Sequence, residues 1–260
     1  MLPSAAEVLH VNSGFYSAYA GFAARMDALD VIANNLANAS TSGFKAQREF
    51  YRSFAAWLQP SLTTPINQAV NRFGVLGGSR LDLSQGTVEP TGNETDVALQ
   101  GPGFFAIQTK NGLRYTRDGS FRLDRNRNLI NDQGDQVLSQ QPTNRIQPIQ
   151  IPTGNVSISP DGSISVDGAL VAKLRIEDFP PNTQLTQEGN SYFLAPGGAA
   201  QPLNPSTTVQ QGALEKSNSD PIRTTVALID LQRTAQIMER ALSIFHNEFN
   251  RTAAQDLPKV

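Results

Sequence analysis

The sequence predicts an α+β fold, with an antiparallel, β-rich central domain flanked by N- and C-terminal helices that pair as a coiled-coil-like hairpin. Near both ends of the 260-residue chain, apolar residues recur alternately every three and four positions, the spacing of a single helix seam. The middle of the chain instead carries short β-rich runs separated by turn dipeptides such as Asp161-Gly162 and Asp167-Gly168. These patterns divide the chain into a helical segment (1–58), an extended linker rich in Pro and Gly (59–90), a β-rich domain (91–218) and a C-terminal helix (219–260).

The first helix is expected to begin near residue 12, where Asn12 or Ser13 can cap its free N–H groups. The run 40–43, Ser-Thr-Ser-Gly, then breaks the helix, and Gly43 is suited to the left-handed backbone that ends many helices. A second short amphipathic helix is expected from Phe44 to Trp57.

The last helix has a clear start signal, because Asp220 can cap it and Pro221 suits the first helical position. A single amphipathic helix usually packs on an ordinary core. Here the β-rich domain has its own turns and can bury its own residues, so the terminal helices are left to pair with each other or with a partner. The residues expected to form this assembly seam are Phe15, Tyr19, Phe22, Met26, Leu29, Leu36, Leu228, Leu231, Met238, Leu242, Phe245 and Phe249.

In the central domain, the run 156–166 alternates apolar and polar residues around an Asp-Gly turn, which predicts a β-hairpin. A pair of glycines, Gly101 and Gly103, lies just before Phe104 and Phe105. A phosphate-binding loop is one interpretation of this glycine-rich stretch. The chain continues as a strand rather than a helix, which favours a tight turn that leads into a core strand. One phenylalanine is then expected to anchor the core, and the other to face the linker or a neighbouring subunit.

The stretch 114–125 concentrates arginines with aromatic residues, and it is interpreted as a hairpin that turns at Asp118-Gly119. Stacking on single-stranded nucleic acid is one alternative for this stretch. Intramolecular ion pairs or a protein contact are favoured, because aspartates flank Arg117 and Arg122.

Composition excludes most kinds of reactive site. The chain has no cysteine, and its two histidines lie near opposite ends, which excludes thiol nucleophiles, disulfides and multi-histidine metal sites. The run 124–132 lacks the spacing and the terminal glutamate of a calcium loop. A net charge of −2 gives no overall basic field for nucleic acid or an anionic membrane. We therefore expect no enzyme activity, no catalytic residue, no cofactor and no metal site.

Residues 1–10 show neither a basic region nor an apolar core of the secretory type, and no apolar run approaches the ~20 residues needed to span a bilayer. The expectation is a protein without a cleavable signal peptide and without membrane insertion.

Several stretches together resemble the bacterial flagellar basal-body rod and hook family. Near the N-terminus these are Leu29–Asn38 and Thr41–Lys45, and in the middle they are Gly92-Asn93, Asp96–Leu99, Gly101–Phe105 and Tyr115–Phe121. Near the C-terminus they are Gly212–Asn218 and Ile229–Arg233. They occur in the family's order and cover nearly the whole chain.

The resemblance implies a structural, torque-transmitting subunit of the periplasmic rod, exported by the flagellar type III apparatus. Its implied partners are copies of itself, other rod and hook-family subunits and the export apparatus, but no nucleic acid. The size of the chain is similar to that of both the proximal and the distal rod proteins. The segment 71–78 and the compact middle are more similar to the proximal rod protein, and the distal rod protein is the alternative. One alternative is a β-domain binding module with oligomerising terminal helices, and another is an arginine-rich nucleic-acid binder.

Overall fold

The computed structural model describes residues 5–52, 75–140, 147–180, 183–202 and 206–256. Helix α1 spans Ala5–Ala37 and helix α2 spans Pro221–Asp256. The strands between them are β1 (Gln47–Arg52), β2 (Val75–Leu81), β3 (Val88–Pro90), β4 (Val97–Gln100), β5 (Phe104–Thr109), β6 (Gly112–Thr116), β7 (Phe121–Leu123), β8 (Leu129–Asn131), β9 (Gln136–Val137), β10 (Val156–Ile158), β11 (Ser163–Val166), β12 (Ala169–Lys173), β13 (Ile176–Asp178), β14 (Thr186–Glu188), β15 (Tyr192–Leu194), β16 (Gln201–Pro202), β17 (Thr208–Gln211) and β18 (Ala213–Glu215).

The chain divides into two compact units. Of the described residues, the helical unit contains 5–36, 47–52, 75–80 and 221–256, and the β unit contains 37–46 and the described parts of 81–220. The segment 37–46, which directly follows α1 in sequence, therefore belongs to the β unit.

In the helical unit, α1 and α2 pack together, and β1 and β2 form a two-stranded sheet. The face that α1 buries carries Ala24 and Ala28, and the face that α2 buries carries Leu231 and Ala235. Among the described residues, neither helix is both long enough and apolar enough to cross a membrane.

The helix boundaries confirm one predicted signal and correct another. Helix α2 begins at Pro221, as predicted. Asn12 and Ser13 lie inside α1 and do not cap it, because the preceding Ala, Glu and Leu residues are good helix formers that extend the helix towards the N-terminus.

The predicted second helix from Phe44 to Trp57 is wrong over Gln47–Arg52, which forms strand β1. The amide of Asn35 explains the difference, since its Nδ2 donates to Gln47 O over 2.7 Å and its Oδ1 accepts from Gln47 N over 2.9 Å. These two bonds fix an extended residue at the start of β1, and β2 supplies the neighbouring strand. Residues 53–57 lie outside the described part. Half of the predicted linker (59–74) also lies outside the described part, and its other half includes β2 and β3.

The β unit is built around a nine-stranded sheet with β5 inside it. Strand β5 pairs with β6, β9 and β13, and its side chains enter a different apolar cluster on each face. Phe105 packs edge-on against Phe121, while Phe104 packs against Phe179 and Phe193. Both phenylalanines are thus buried within the β unit, and the cluster that contains Phe104 also packs against Leu81, a residue of the predicted linker.

Two predicted hairpins have opposite outcomes. The first is confirmed, since β10 and β11 pair antiparallel with Val156 opposite Val166 and Ile158 opposite Ile164. The second, turning at Asp118-Gly119, is wrong, because β6 pairs with β5 and β15 while β7 pairs with β8. Gly119 instead passes close to β4, where a Cβ would lie 1.7 Å from the carbonyl oxygen of Val97.

The turn before β5 gives a first testable prediction. Gly103 has a φ of 127°, which an L side chain rarely adopts, so Gly103→Ala is expected to lower the free energy of unfolding by more than ~1 kcal/mol. Thermal denaturation of the full-length protein followed by circular dichroism measures this loss. Gly197→Ala is the matched control, because it adds a methyl group where no atom lies within 4 Å. Equal melting temperatures for the two variants would contradict a structural role for Gly103.

Candidate functional site

Three charged side chains form an ion-pair cluster inside the β unit: Lys45, Glu215 and Arg117. Lys45 Nζ lies 2.6 Å from Glu215 Oε1, and an Arg117 Nη atom lies 3.1 Å from Glu215 Oε2. All three residues are at most 3% exposed. Charged residues are rarely buried so completely unless they are paired, so this cluster is the most distinctive polar feature of the described chain.

The three residues come from distant parts of the sequence. Lys45 follows the left-handed Gly43, Arg117 follows directly on strand β6, and Glu215 is the last residue of β18. Each lies in one of the stretches that resemble the rod and hook family. The fold thus brings the N-terminal, central and C-terminal stretches together at one buried point.

Hydrogen bonds complete the surroundings of the charges. The Glu215 carboxylate also accepts from Gly86 N over 3.0 Å, and Lys45 Nζ donates to Ser84 O over 2.6 Å. The second Arg117 Nη donates to Gly101 O over 2.7 Å, and the guanidinium carbon lies 5.2 Å from the centre of the Phe104 ring. Among the described residues, Arg117 Nε is a buried nitrogen with no hydrogen-bond partner.

Electrostatics make Glu215 the critical member of the cluster. Burial lowers the pKa of both Lys45 and Arg117, and attraction to the Glu215 carboxylate opposes that lowering. One carboxylate thus stabilises two buried cations. Removing one partner of a buried ion pair is strongly destabilising, because it leaves an uncompensated charge.

Backbone contacts extend the cluster into a junction between chain segments. Gly43 N donates to Glu215 O over 2.8 Å. The Asn218 side chain accepts from Ala46 N over 2.7 Å and donates to Asp82 O over 2.7 Å. The segment 43–46 continues along the chain towards α1, and the segment 215–218 continues towards α2. The junction therefore fastens together the two stretches of chain that lead into the helices.

The charged groups of the junction have several hydrogen-bond partners each. Lys45 Nζ already donates to two acceptors, and the Glu215 carboxylate accepts from three donors. These contacts hold both groups in place from several sides. The junction can resist separation of the segments that it joins.

The residues of the predicted assembly seam differ in how far their side chains are buried. On α2, Leu231 is buried, and Leu228, Met238 and Leu242 are half-buried. On α1, Phe22, Leu29 and Leu36 are half-buried, whereas Tyr19 and Met26 are exposed. The side chains of Phe15, Phe245 and Phe249 lie outside the described part of the structure.

Sequence reasoning did not identify the ion-pair cluster. A signal for Lys45 was present, since it stands between Phe44 and Ala46, and a lone charge between apolar residues often marks a buried ion pair. Its partner could not be found in the same way, because Glu215 is 170 positions away. Of the three charged residues, only Arg117 was predicted from the sequence to form an intramolecular ion pair. That ion pair is confirmed, and the partner of Arg117 is Glu215 rather than a neighbouring aspartate.

Two models of known protein families match this chain, one within the β unit and one from α1 into the β unit. A family model described as the flagellar hook protein FlgE/F/G D1 domain matches residues 98–166, which lie in the β unit. A second, described as flagella basal body rod protein, matches residues 15–45, from α1 to the lysine of the cluster.

Curated relatives extend the match to most of the chain. The flagellar basal-body rod protein FlgF of Caulobacter vibrioides is 31% identical over 236 residues, which cover 89% of this chain and 92% of that protein. The rod protein FlgG of Borreliella burgdorferi is 30% identical over 253 residues, covering 89% and 94%. The flagellar hook protein FlgE of Escherichia coli is 33% identical over 164 residues, but these cover only 38% of that protein. Two different rod proteins thus match along nearly their whole length, and the chain belongs to the flagellar basal-body rod protein family.

Proposed function

We propose that the chain is a non-enzymatic axial subunit of the flagellar rod, which assembles with copies of itself and with other rod and hook-family subunits. The observation that carries this proposal is the buried junction of Lys45, Glu215 and Arg117. It cross-links the two stretches of chain that continue into α1 and α2, so a load on either helix is shared through the covalent chain with the β unit. A subunit that transmits torque needs this property.

In the proposed rod, α1 and α2 pair as a coiled-coil-like hairpin, and their seam residues are covered on assembly. Half-buried leucines such as Leu36 and Leu242 support this role, since they have apolar surface left to bury against a neighbour. Export by the flagellar type III apparatus without a cleavable signal peptide, followed by assembly in the periplasm, completes the proposal. Family membership supports this route, and the lack of cysteine suits a chain that must cross an oxidising compartment unfolded.

A substitution in the seam tests the proposed function. Leu242→Asp places a carboxylate at a packed helix position at a cost of several kcal/mol. In a flagellated bacterium that lacks its own copy of this gene, the variant is expected to abolish swimming and to be missing from purified basal bodies. Ser243→Asp is the matched control, because it adds the same charge at the next, exposed position of α2 and should preserve swimming. Normal swimming with Leu242→Asp would contradict the proposed seam.

A further inference from the structure

One exposed turn of the β unit carries the single Asn-Gly dipeptide of the sequence, Asn111-Gly112. Strand β5 ends at Thr109 and β6 begins at Gly112, so Lys110 and Asn111 form the two-residue loop of this hairpin. Both loop residues are exposed. The turn is thus an accessible stretch of backbone in which an asparagine precedes a residue that has no side chain.

This order of residues permits a reaction of the chain with itself. The backbone nitrogen of the residue that follows an asparagine can attack the side-chain amide carbon and close a succinimide ring. A side chain on the following residue hinders this approach, and glycine has none. Gly112 also has a φ of 100°, which an L side chain rarely adopts. The turn therefore favours the residue that leaves the backbone nitrogen most accessible.

The side chain of Asn111 is free to reach the backbone. Thr109 Oγ1 accepts from Asn111 N over 3.1 Å and donates to Gly112 O over 2.9 Å, so these hydrogen bonds hold the main chain of the turn. The side-chain amide of Asn111 makes no hydrogen bond in the ranges that the structure describes. Its Cγ can therefore rotate towards Gly112 N without breaking a contact.

Three Asp-Gly dipeptides can in principle close the same ring, but hydrogen bonds hold their carboxylates. Each carboxylate accepts at least one hydrogen bond of 2.7–3.1 Å, and the three residues are Asp118, Asp161 and Asp167. A carboxylate is also a poorer electrophile than an amide, because its negative charge repels a nucleophile. Of these four dipeptides, Asn111-Gly112 therefore has the side chain best able to react.

We propose that Asn111 is a site of spontaneous deamidation. Gly112 N forms a bond to Asn111 Cγ, the bond from Cγ to Nδ2 breaks, and Nδ2 leaves as ammonia with the proton that Gly112 N gives up. Water then adds to one of the two ring carbonyls, and the ring nitrogen regains a proton as the ring opens. Opening at Cγ gives aspartate, and opening at the backbone carbonyl gives isoaspartate, in which the main chain runs through Cβ.

Either product places a new negative charge at the tip of the hairpin. The exposed Lys110 is adjacent in sequence, and Arg114 Nη1 lies 3.9 Å from the place that a Cβ on Gly112 would take. Arg114 also pairs with Glu188. Cations near the turn favour the new carboxylate by Coulomb attraction. Isoaspartate also lengthens the main chain of the two-residue loop, so the hairpin would change in both charge and length as the protein ages.

Peptide mapping of the aged, full-length protein tests the site. The protein is incubated under native conditions in water enriched in heavy oxygen, then digested in ordinary water and analysed by mass spectrometry. The peptide that contains residue 111 should lose the amide nitrogen, gain heavy oxygen and separate into an aspartate form and an isoaspartate form. The exposed Asn126 and Asn190 lie in two other hairpin turns and should stay intact, because arginine and serine follow them.

Asn111→Gln is the matched variant, because glutamine keeps the amide but would have to close a larger, slower-forming ring. The acidic species that ion exchange separates from the aged wild-type protein should be lost in this variant, and Asn111→Asp provides the charge reference. The inference is overturned if Asn111 stays intact in the native protein while it reacts in urea, if it reacts in neither state, if Asn126 or Asn190 reacts as fast, or if only aspartate forms. The inference goes beyond the proposed rod function and does not depend on it, so none of these outcomes changes the test of that function in basal bodies.

Discussion

Replacing Glu215 with Gln is expected to lower the free energy of unfolding of the full-length protein by about 3–5 kcal/mol. The substitution keeps the shape of the side chain but removes the one negative charge that faces both Lys45 and Arg117. Two cations then remain buried without the carboxylate that pairs with both of them, and the charges of Asp82 and Asp178 compensate them only in part. Urea denaturation followed by circular dichroism measures the loss.

The same variant is expected to respond to pH in a defined direction. Burial already lowers the pKa of Lys45, and the Glu215 carboxylate opposes this effect, so its removal lowers that pKa further. Between this lowered pKa and the unfolded value of about 10.4 the unfolded chain binds more protons, so stability rises with pH. The gap between the variant and the wild-type protein should therefore be smaller at pH 10 than at pH 7.

Glu188→Gln is the matched control for this prediction. Glu188 pairs with Arg114 over 2.7 Å, but its side chain is 38% exposed, and exposed pairs contribute about 0–1 kcal/mol. If the two glutamine variants lost the same stability, or if the Glu215→Gln deficit did not change with pH, the cluster would not have the electrostatic role that its burial indicates.

Local patterns in the sequence predicted the local parts of the fold. The hairpin of β10 and β11 and the start of α2 were found because the interactions that define them lie within a few residues. Strand β1 was predicted as helix, since its partner β2 and the amide of Asn35 are distant in sequence. The hairpin at Asp118-Gly119 failed for a related reason, because its turn dipeptide serves close packing against Val97 instead.

The face that α1 buries shows a second limit of pattern reading. The assembly seam, which stays a prediction, follows large residues such as Tyr19 and Met26, whereas the face that α1 buries carries Ala24 and Ala28. Because α1 has apolar residues on several sides, large side chains alone do not identify the packed face. Small residues on the packed face allow close approach of neighbouring chains, a signal that is weak in sequence and clear only in the structure.

Replacing Gly43 with Ala is expected to lower the free energy of unfolding by about 2–5 kcal/mol, the combined cost of an unfavourable backbone angle and of overpacking. Gly43 has a φ of 67°, and a Cβ there would lie 2.2 Å from the backbone nitrogen of Asp118 and 2.4 Å from the carbonyl carbon of Arg117. Backbone atoms cannot rotate away, so one segment must shift. The shift would strain the 2.8 Å hydrogen bond from Gly43 N to Glu215 O and displace Arg117 from its carboxylate partner.

Gly134→Ala separates the two costs, and urea denaturation followed by circular dichroism compares the two variants. Gly134 has a similar left-handed φ of 86°, but no atom lies within 4 Å of its added Cβ, so this control should lose only about 1–2 kcal/mol. The difference between the variants then measures how rigidly the segment around Gly43 is held against the segment that carries Arg117. A rigid junction is what a subunit needs if load on its terminal helices is to reach the β unit without the chain yielding at residues 43–46. Equal losses for the two alanine variants would mean that the junction yields easily, which contradicts a load-bearing role.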